Sequence, residues 1–273
     1  MDNIRLIALD LDGTLIQNNT ISTANIQALR DCINKGIKVI LVTGRPYCFT
    51  KMLAKKIDDR VGVIAANGAI CEIGNHIQEN LIKDEALANI IDVLKKYPSA
   101  HAFFKGKKYF YTHEEYDQRF LYDHMNEQMP SDCRVESFTS LSWDELKQKA
   151  NSIAKVLVYD FDENKLASLR KEIECIKNIS VTDYQKISFD INAEEVNKGK
   201  AIQNALRDLQ ITSKELMAIG DGNNDIPMFQ LAGVSIAMGN ASEEVKSYCN
   251  FVTDDYKNDG VAKAISKYVL HNK

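Results

Sequence analysis

The chain has 273 residues, of which 45% are hydrophobic and 26% are charged, and its formal net charge is −4 at pH 7. This length and composition predict a soluble globular protein with one large or two moderate domains. Lysine and arginine are scattered among acidic residues without a long basic run, so the sequence favours a small molecule as partner over a nucleic acid or an anionic membrane.

Apolar runs alternate with helical patterns along the first third of the chain. The runs IRLIALDLD, IKVILVTG and VGVIAANG are separated by helices predicted over residues 22–34 and 47–57. Continuous apolar runs between helices indicate parallel strands that are covered on both faces and joined by right-handed crossovers. The last third resumes this rhythm with LMAIGDG, VSIAMG and FVTDD, after an amphipathic helix with apolar residues from Ile202 to Leu209.

The middle of the chain has a different pattern. HAFFKGKKYFYT alternates like a hairpin with Gly106 at its turn, and AKVLVYDF and NISVTDYQKISFDI are also strand-like, with helices predicted between these runs. We therefore predict an α/β fold, with a Rossmann-like doubly wound parallel sheet as its core. The core is predicted to be discontinuous, residues 1–83 and 191–273, and a separate α+β domain is predicted over residues 84–190.

Polar residues follow each predicted core strand. Asp10 and Asp12 come after LIAL, Thr43 after VILV, Asn67 after VIAA and Asp221 after LMAIG. In an open parallel sheet, ligands bind outside the carboxyl ends of the strands. We therefore expect these side chains to converge on one crevice.

The motif DLDGTL allows two interpretations. Asp and Gly are common turn residues, so Asp10, Asp12 and Gly13 could simply end the strand. Alternatively, Asp10 is a nucleophile, Asp12 is an acid and base, and a divalent cation offsets their charge.

Two further motifs carry anion-binding signals, each with a structural alternative. In VTGRP, Thr43 and the following amides precede a helix that is marked by Pro46, a position that suits an anion, although Thr is also a common strand residue. In EVNKGKAI, Lys198 lies at the start of a helix, where the macrodipole disfavours a cation. Lys198 is either a solvated surface residue or a ligand of phosphate oxygens.

The motif IGDGNNDIPM indicates a site for a hard cation. Asp221 ends a strand, and Asp225 is either the N-cap of the helix that contains Pro227 or part of the site. Mg²⁺ prefers a few carboxylates together with water and phosphate, and the sequence offers that set of ligands here.

Taken together and in this order, DLDGTL, VTGR, NKGK and GDGNND resemble the four motifs of the haloacid dehalogenase-like hydrolase superfamily. With ANGA after the third strand and a long insert between the second and third motifs, the chain is similar to the Cof-type phosphatase branch, whose insert is a C2-type cap. The resemblance implies that Asp10 attacks phosphorus to form an aspartyl-phosphate. It also implies that Asp12 protonates the leaving alcohol and then activates water.

The resemblance also implies ligands for the phosphate and the metal. The implied phosphate ligands are Thr43, Gly44, Lys198 and Asn224. The implied Mg²⁺ ligands are the Asp10 carboxylate, the Asp12 carbonyl and Asp221, with Asp225 behind them or in contact through water.

Arg45 and Asn67 are the candidates for contacting the rest of the substrate, and a surface ion pair is the alternative for Arg45. The expected substrates are small phosphorylated metabolites: sugar phosphates, nucleotides or pyridoxal phosphate. Two alternatives stay open, a phosphomutase that retains the phosphoryl group and a regulator that binds a phosphometabolite without catalysis.

Six widely spaced cysteines, with no C-x-x-C pair, indicate reduced thiols. Asp10 interrupts the apolar run near the N-terminus, so we expect neither a signal peptide nor a membrane span, and a cytoplasmic location. The expected assembly is a monomer or a weak homo-oligomer.

Overall fold

The structure is a computed structural model that describes residues 4–115, 126–127 and 129–270. The described residues pack into two compact units. One contains those of Met1–Arg45, Leu53–Gln78 and Asn197–Lys273, and the other contains those of Pro46–Met52 and Glu79–Val196. The domain limits at residues 84 and 190 remain a prediction.

In chain order, the strands of the described residues are β1 (Leu6–Leu9), β2 (Ile16–Gln17), β3 (Thr20–Ile21), β4 (Lys38–Val42), β5 (Gly62–Ala65), β6 (Ile70–Ile73), β7 (His76–Glu79), β8 (His101–Lys105), β9 (Tyr109–Thr112), β10 (Glu136–Phe138), β11 (Lys155–Tyr159), β12 (Ile179–Gln185), β13 (Ser188–Ala193), β14 (Leu216–Gly220), β15 (Val234–Ala237) and β16 (Phe251–Val252). Their α-helices are α1 (Thr23–Asn34), α2 (Tyr47–Ile57), α3 (Asp84–Leu94), α4 (Trp143–Lys147), α5 (Glu163–Glu174), α6 (Lys198–Leu209), α7 (Ile226–Leu231), α8 (Glu243–Ser247) and α9 (Gly260–Ile265).

The first unit is built on a sheet in the order β16-β15-β14-β1-β4-β5-β6-β7. The six strands from β16 to β5 pair in parallel, and β6 is antiparallel to β5. Every residue of β1, β5, β14 and β15 is buried, so both faces of this part of the sheet are covered. The continuous apolar runs predicted this arrangement correctly.

The order of the strands places the carboxyl ends of β14, β1, β4 and β5 side by side. Helix α1 connects β1 to β4, and α2 connects β4 to β5, while α6 leads into β14 and α7 follows it. The apolar face of α6 packs on one face of the sheet together with Met228 and Phe229 of α7. The short polar segments after these four strands therefore lie at one edge of the sheet.

The second unit has a sheet in the order β10-β9-β8-β11-β13-β12. Its pairs are antiparallel except for β9 and β10, and β8 and β9 form the hairpin that the sequence predicts. Helices α3 and α5 cover one face, where Leu87, Ile90 and Leu169 pack against Phe104 and Val156 of the sheet. The fold is the predicted one, an α/β Rossmann-like core with an inserted α+β cap.

Residues 46–52 group with the second unit through their own packing. Cys48 and Phe49, in the first turn of α2, are buried in a cluster with Phe110, Cys133 and Val135.

Among the α-helices of the described residues, none combines the length and the apolar character that a bilayer span needs.

Helices α6 and α7 are in close contact at Gly199. A Cβ at this position would lie 2.6 Å from the carbonyl oxygen of Pro227 and 2.7 Å from its Cβ. Real Cβ atoms do not come so close to backbone atoms, so a larger residue would force the two helices apart. The absence of a side chain at Gly199 thus sets how closely α6 can pack against the first turn of α7.

We expect Gly199→Ala to lower the free energy of unfolding by about 1–3 kcal/mol, since overpacking forces backbone shifts of this cost. At an open helix position the same change would stabilise the protein by about 1 kcal/mol. The sign of the change in the free energy of unfolding therefore distinguishes a close contact from open space. Urea unfolding measures the effect, with Lys200→Ala on the exposed side of α6 as the matched control. A Gly199→Ala variant more stable than the wild type would show that the contact with Pro227 does not constrain the two helices.

Candidate active site

A buried ammonium group lies at the centre of the site. Lys198 Nζ is 2.6 Å from Asp10 Oδ1 and 2.6 Å from Asp225 Oδ1, and the lysine side chain is only 1% exposed. Burial acts to lower the pKa of Lys198, but the carboxylates of Asp10 and Asp225 outweigh it and raise the pKa. Lys198 is therefore a charged group of the site, and its alternative as a solvated surface residue is wrong.

Asp10 follows β1 directly and is held in the sheet by its own amide, which donates to Ile219 O at 3.0 Å. Burial raises the pKa of its carboxyl well above the ordinary value; Lys198 opposes this shift, while Asp225 and Asp221 add to it. A carboxylate so placed is stabilised when positive charge is added to the site.

Asp225 is fully buried, and both of its oxygens have partners. Oδ1 accepts from Lys198, while Oδ2 accepts from the amides of Asp221 and Gly222 at 3.0 and 2.9 Å. No amide at the start of α7 donates to its side chain, so Asp225 does not cap that helix. Its hydrogen bonds therefore hold the backbone of the turn after β14, which carries Asp221.

Two residues outside the predicted site orient the Asp221 carboxylate. Thr14 Oγ1 donates to Asp221 Oδ1 at 2.8 Å, and Asn240 Nδ2 donates to Oδ2 at 3.3 Å and to Gly13 O at 2.9 Å. Burial raises the pKa of Asp221 to about 6, with a further contribution from the Asp225 carboxylate. Thr14 is part of DLDGTL, whereas Asn240 follows β15, and no local pattern links it to Asp221.

Asp10, Asp221 and Asp225 fit a divalent cation. Each offers an oxygen, and these oxygens all lie within 4.8 Å of one another. Lys198 forms ion pairs with two of these three carboxyl groups, Asp10 and Asp225, so the described cluster sets three carboxyl groups against this one ammonium. Gly13, with a φ of +74°, leaves room for the Asp221 carboxylate, because a Cβ at Gly13 would overlap with it. The donor set consists of hard oxygen ligands, as Mg²⁺ requires.

Asp12 has a different environment from Asp10. Its side chain is 50% exposed, and it forms a bidentate ion pair with Arg45, with Nε to Oδ2 at 2.8 Å and Nη2 to Oδ1 at 2.6 Å. The Arg45 side chain also reaches Asn19 Oδ1, 2.9 Å from Nη2. The structure thus shows the ion pair that was the alternative for Arg45, and contact with the substrate remains a prediction.

The segments after β4 and β5 are joined by backbone hydrogen bonds. The Thr43 amide donates to Ile64 O at 2.9 Å, and the Asn67 amide donates to Thr43 O at 3.0 Å. Thr43 Oγ1 accepts from the Arg45 amide at 3.1 Å. Asn67 is buried in a left-handed conformation, with a φ of 62°, so the chain turns sharply at this strand end.

Two other predicted phosphate ligands lie in these same turns. Gly44 is next to Thr43, and half-buried Asn224 precedes Asp225 in the turn Asn223–Asp225. Their predicted roles toward phosphate remain predictions.

Comparison with known proteins identifies the family. A profile of the haloacid dehalogenase-like hydrolases matches residues 7–265. The 5-amino-6-(5-phospho-D-ribitylamino)uracil phosphatase YcsE of Bacillus subtilis is 28% identical over 272 residues, covering 98% of this chain and 97% of that protein.

Solved structures agree. A haloacid dehalogenase-like hydrolase from Bacteroides thetaiotaomicron has a TM-score of 0.82 at 26% identity, covering 97% of this chain and 99% of that one. The HAD subclass IIB sugar phosphatase BT4131 has a TM-score of 0.78 at 25% identity, covering 97% and 98%.

The chain belongs to the haloacid dehalogenase-like hydrolase family. The predicted family is confirmed by the match over nearly the whole chain, and the predicted enzyme class, a phosphatase, is confirmed by relatives and structural neighbours of that class.

We expect Thr14→Val to raise the dissociation constant for a divalent cation about tenfold, because hydrogen bonds that orient a metal-binding carboxylate are commonly worth a factor of this size. Isothermal titration of the purified protein with Mg²⁺ measures it. Thr50→Val is the matched control, since Thr50 is also buried but its hydroxyl donates to Pro46 O at 3.0 Å. Equal affinities in the two variants would exclude an orienting role for Thr14.

Proposed function

We propose that the chain is a Mg²⁺-dependent phosphatase that hydrolyses small phosphorylated metabolites through an aspartyl-phosphate on Asp10. The observation that carries this proposal is the cluster of buried Asp10, Asp225 and Lys198 with half-buried Asp221, in which Lys198 lies 2.6 Å from two of the three carboxyl groups. A binding protein without catalysis would have no need for a buried nucleophilic carboxylate beside a second one, Asp12.

In the first step, a carboxylate oxygen of Asp10 attacks the phosphorus of the substrate. The bond from phosphorus to the ester oxygen breaks, and Asp12, protonated from the solvent that reaches its exposed side, transfers this proton to that oxygen, so that the alcohol leaves. The Thr43 hydroxyl, which can still donate, and the Lys198 ammonium are suited to the phosphoryl oxygens, whose charge they would stabilise in the transition state. The roles of Thr43, Gly44 and Asn224 toward these oxygens form part of the proposal.

In the second step, water attacks the phosphorus of the aspartyl-phosphate. Asp12, now ionised, takes a proton from this water, the bond from phosphorus to the Asp10 oxygen breaks, and inorganic phosphate leaves. Asp12 is half-exposed and therefore accessible to water, which suits a group that exchanges protons in both steps.

Mg²⁺ would be held by the Asp10 and Asp221 carboxylates and the Asp12 carbonyl, with Asp225 behind them. When bound, the metal supplies positive charge that neutralises the phosphoryl group and offsets the buried carboxylates. Thr14 and Asn240 keep the Asp221 carboxylate turned towards its partners.

For the substrate, we propose a small phosphate monoester, in the class of sugar phosphates, nucleotides or pyridoxal phosphate. Two relatives support this class: YcsE is named for a phosphoribitylamino-uracil, and BT4131 is named a sugar phosphatase. A panel of phosphorylated metabolites, assayed for release of inorganic phosphate, identifies the preferred ester.

We expect Asp10→Asn to reduce kcat by roughly a thousandfold or more, as for loss of other enzymatic nucleophiles, because an amide is a poor nucleophile of nearly the same shape. Asp12→Asn should cost roughly a hundredfold or more, through lost proton transfer. Phosphate release with p-nitrophenyl phosphate measures both, and circular dichroism checks the fold. Asp208→Asn, on the exposed side of α6, is the control, and near-normal turnover by Asp10→Asn would refute the mechanism.

We expect activity to require Mg²⁺ and to be lost with Ca²⁺. Ca²⁺ accepts more oxygens at longer distances than Mg²⁺, so both oxygens of Asp10 would bind it and neither would attack phosphorus. The test compares rates in excess EDTA, after addition of Mg²⁺ and after addition of Ca²⁺. Full activity in EDTA, or equal rates with the two ions, would contradict the proposed metal.

A further inference from the structure

The hairpin of β2 and β3 turns on Asn18 and Asn19. Gln17 pairs with Thr20 across the turn, and the two asparagines have φ angles of 50° and 58°. Positive φ at both central positions is the geometry of a type I′ turn, in which glycine is favoured at the second position. The backbone alone would therefore be better served by glycine at position 19.

The Asn19 side chain has a specific contact. Its Oδ1 accepts from Arg45 Nη2 at 2.9 Å, and the same guanidinium group holds both oxygens of Asp12. Asn19 lies in the turn after β2, Arg45 in the segment after β4 and Asp12 in the turn after β1. Their side chains thus form one continuous hydrogen-bonded network.

This network restrains the Asp12 side chain, which would otherwise be free to rotate in solvent. The Asp12 carboxylate is 50% exposed, whereas the planar fork of Arg45 fixes both the position and the plane of its two oxygens. Arg45 is itself a long side chain, 22% exposed, and Asn19 fixes the end of its guanidinium group. Proton transfer depends on such geometry, because the donor must lie within hydrogen-bond reach of the reacting oxygen.

We propose that Asn19 is a positioning residue that acts through Arg45 to hold the Asp12 carboxyl group in the orientation that protonates the leaving oxygen. The inference rests on the proposed phosphatase mechanism. As the bond from Asp10 to phosphorus forms, the bond from phosphorus to the ester oxygen breaks, and a proton that Asp12 has taken from solvent through its exposed side moves to that oxygen. Asp12 recovers a proton from the attacking water in the second step.

The acidity of the leaving group tests this role. The leaving group of p-nitrophenyl phosphate, p-nitrophenolate, leaves without a proton. Benzyl phosphate has a similar shape, but its leaving group is an alkoxide that must be protonated as it leaves. The value of kcat/KM reports the steps up to release of the alcohol, so it isolates the first proton transfer. The readout is the ratio of kcat/KM for benzyl phosphate to kcat/KM for p-nitrophenyl phosphate.

Asn19→Gly is the decisive variant, because glycine suits the turn and removes only the side chain. Asn18→Gly is its matched control, with the same change at the neighbouring turn position. We expect Asn19→Gly to lower the ratio about tenfold, a fraction of what a general acid contributes, and Asn18→Gly to leave it within about twofold of the wild type.

A second comparison tests whether Asn19 acts through Arg45. Lysine cannot form the bidentate pair, so Arg45→Lys should lower the ratio at least as much as Asn19→Gly. Adding Asn19→Gly to Arg45→Lys should then lower it no further, since residues that act through one contact are not additive. Additive effects would show that Asn19 acts by another route, and would overturn the inference.

The remaining outcomes are also decisive. If Asn19→Gly matches Asn18→Gly, or lowers both rates equally and leaves the ratio unchanged, the residue has only a structural role and the inference is wrong. If the wild-type protein hydrolyses neither ester in Mg²⁺, the proposed function fails and the inference fails with it. An active wild type with an insensitive ratio overturns only the role of Asn19.

Discussion

The interaction on which the site depends is the pairing of one buried ammonium with two buried carboxylates. Desolvating an ion costs several kcal/mol even after relaxation, so Lys198 is tolerated in the interior only because Asp10 and Asp225 each lie 2.6 Å from it. Its place at the start of α6, where the helix dipole opposes a cation, adds to this cost. The charges of the two strand ends therefore determine where the first residue of α6 lies.

Such close approach requires space, and glycine provides it at three points. A Cβ at Gly13 would overlap with the Asp221 carboxylate, one at Gly220 would overlap with that of Asp225, and one at Gly199 would collide with the backbone of Pro227. These glycines flank the charged residues in DLDGTL, GDGNND and NKGK. The motifs thus combine the charged groups with the room that those groups need, which is why their spacing is informative.

Sequence reasoning located the residues that follow core strands, since strand order alone brings the segments after β1, β4, β5 and β14 to one edge. It also singled out Lys198, because a cation at a helix N-terminus is locally unfavourable. It did not single out Asn19 or Asn240: each lies in a turn where asparagine is ordinary, and its contact partner is remote in sequence. Nor does the sequence show that Arg45 pairs with Asp12, because the partner of a long side chain is determined only once the chain has folded.

Two carboxylates only two residues apart, Asp10 and Asp12, acquire opposite environments from two cations. Lys198, carried by α6, pairs with Asp10 in the interior. Burial and the neighbouring carboxylates raise the pKa of Asp10 there, so its ionised form is stabilised by added positive charge. Arg45, carried by the segment after β4, meets Asp12 at half exposure and fixes its plane. Under the proposed mechanism this difference assigns the roles: the enclosed carboxylate attacks phosphorus, and the one in contact with solvent moves protons. Neighbouring residues of one turn can divide the chemistry because the segments that bind them come from different parts of the fold.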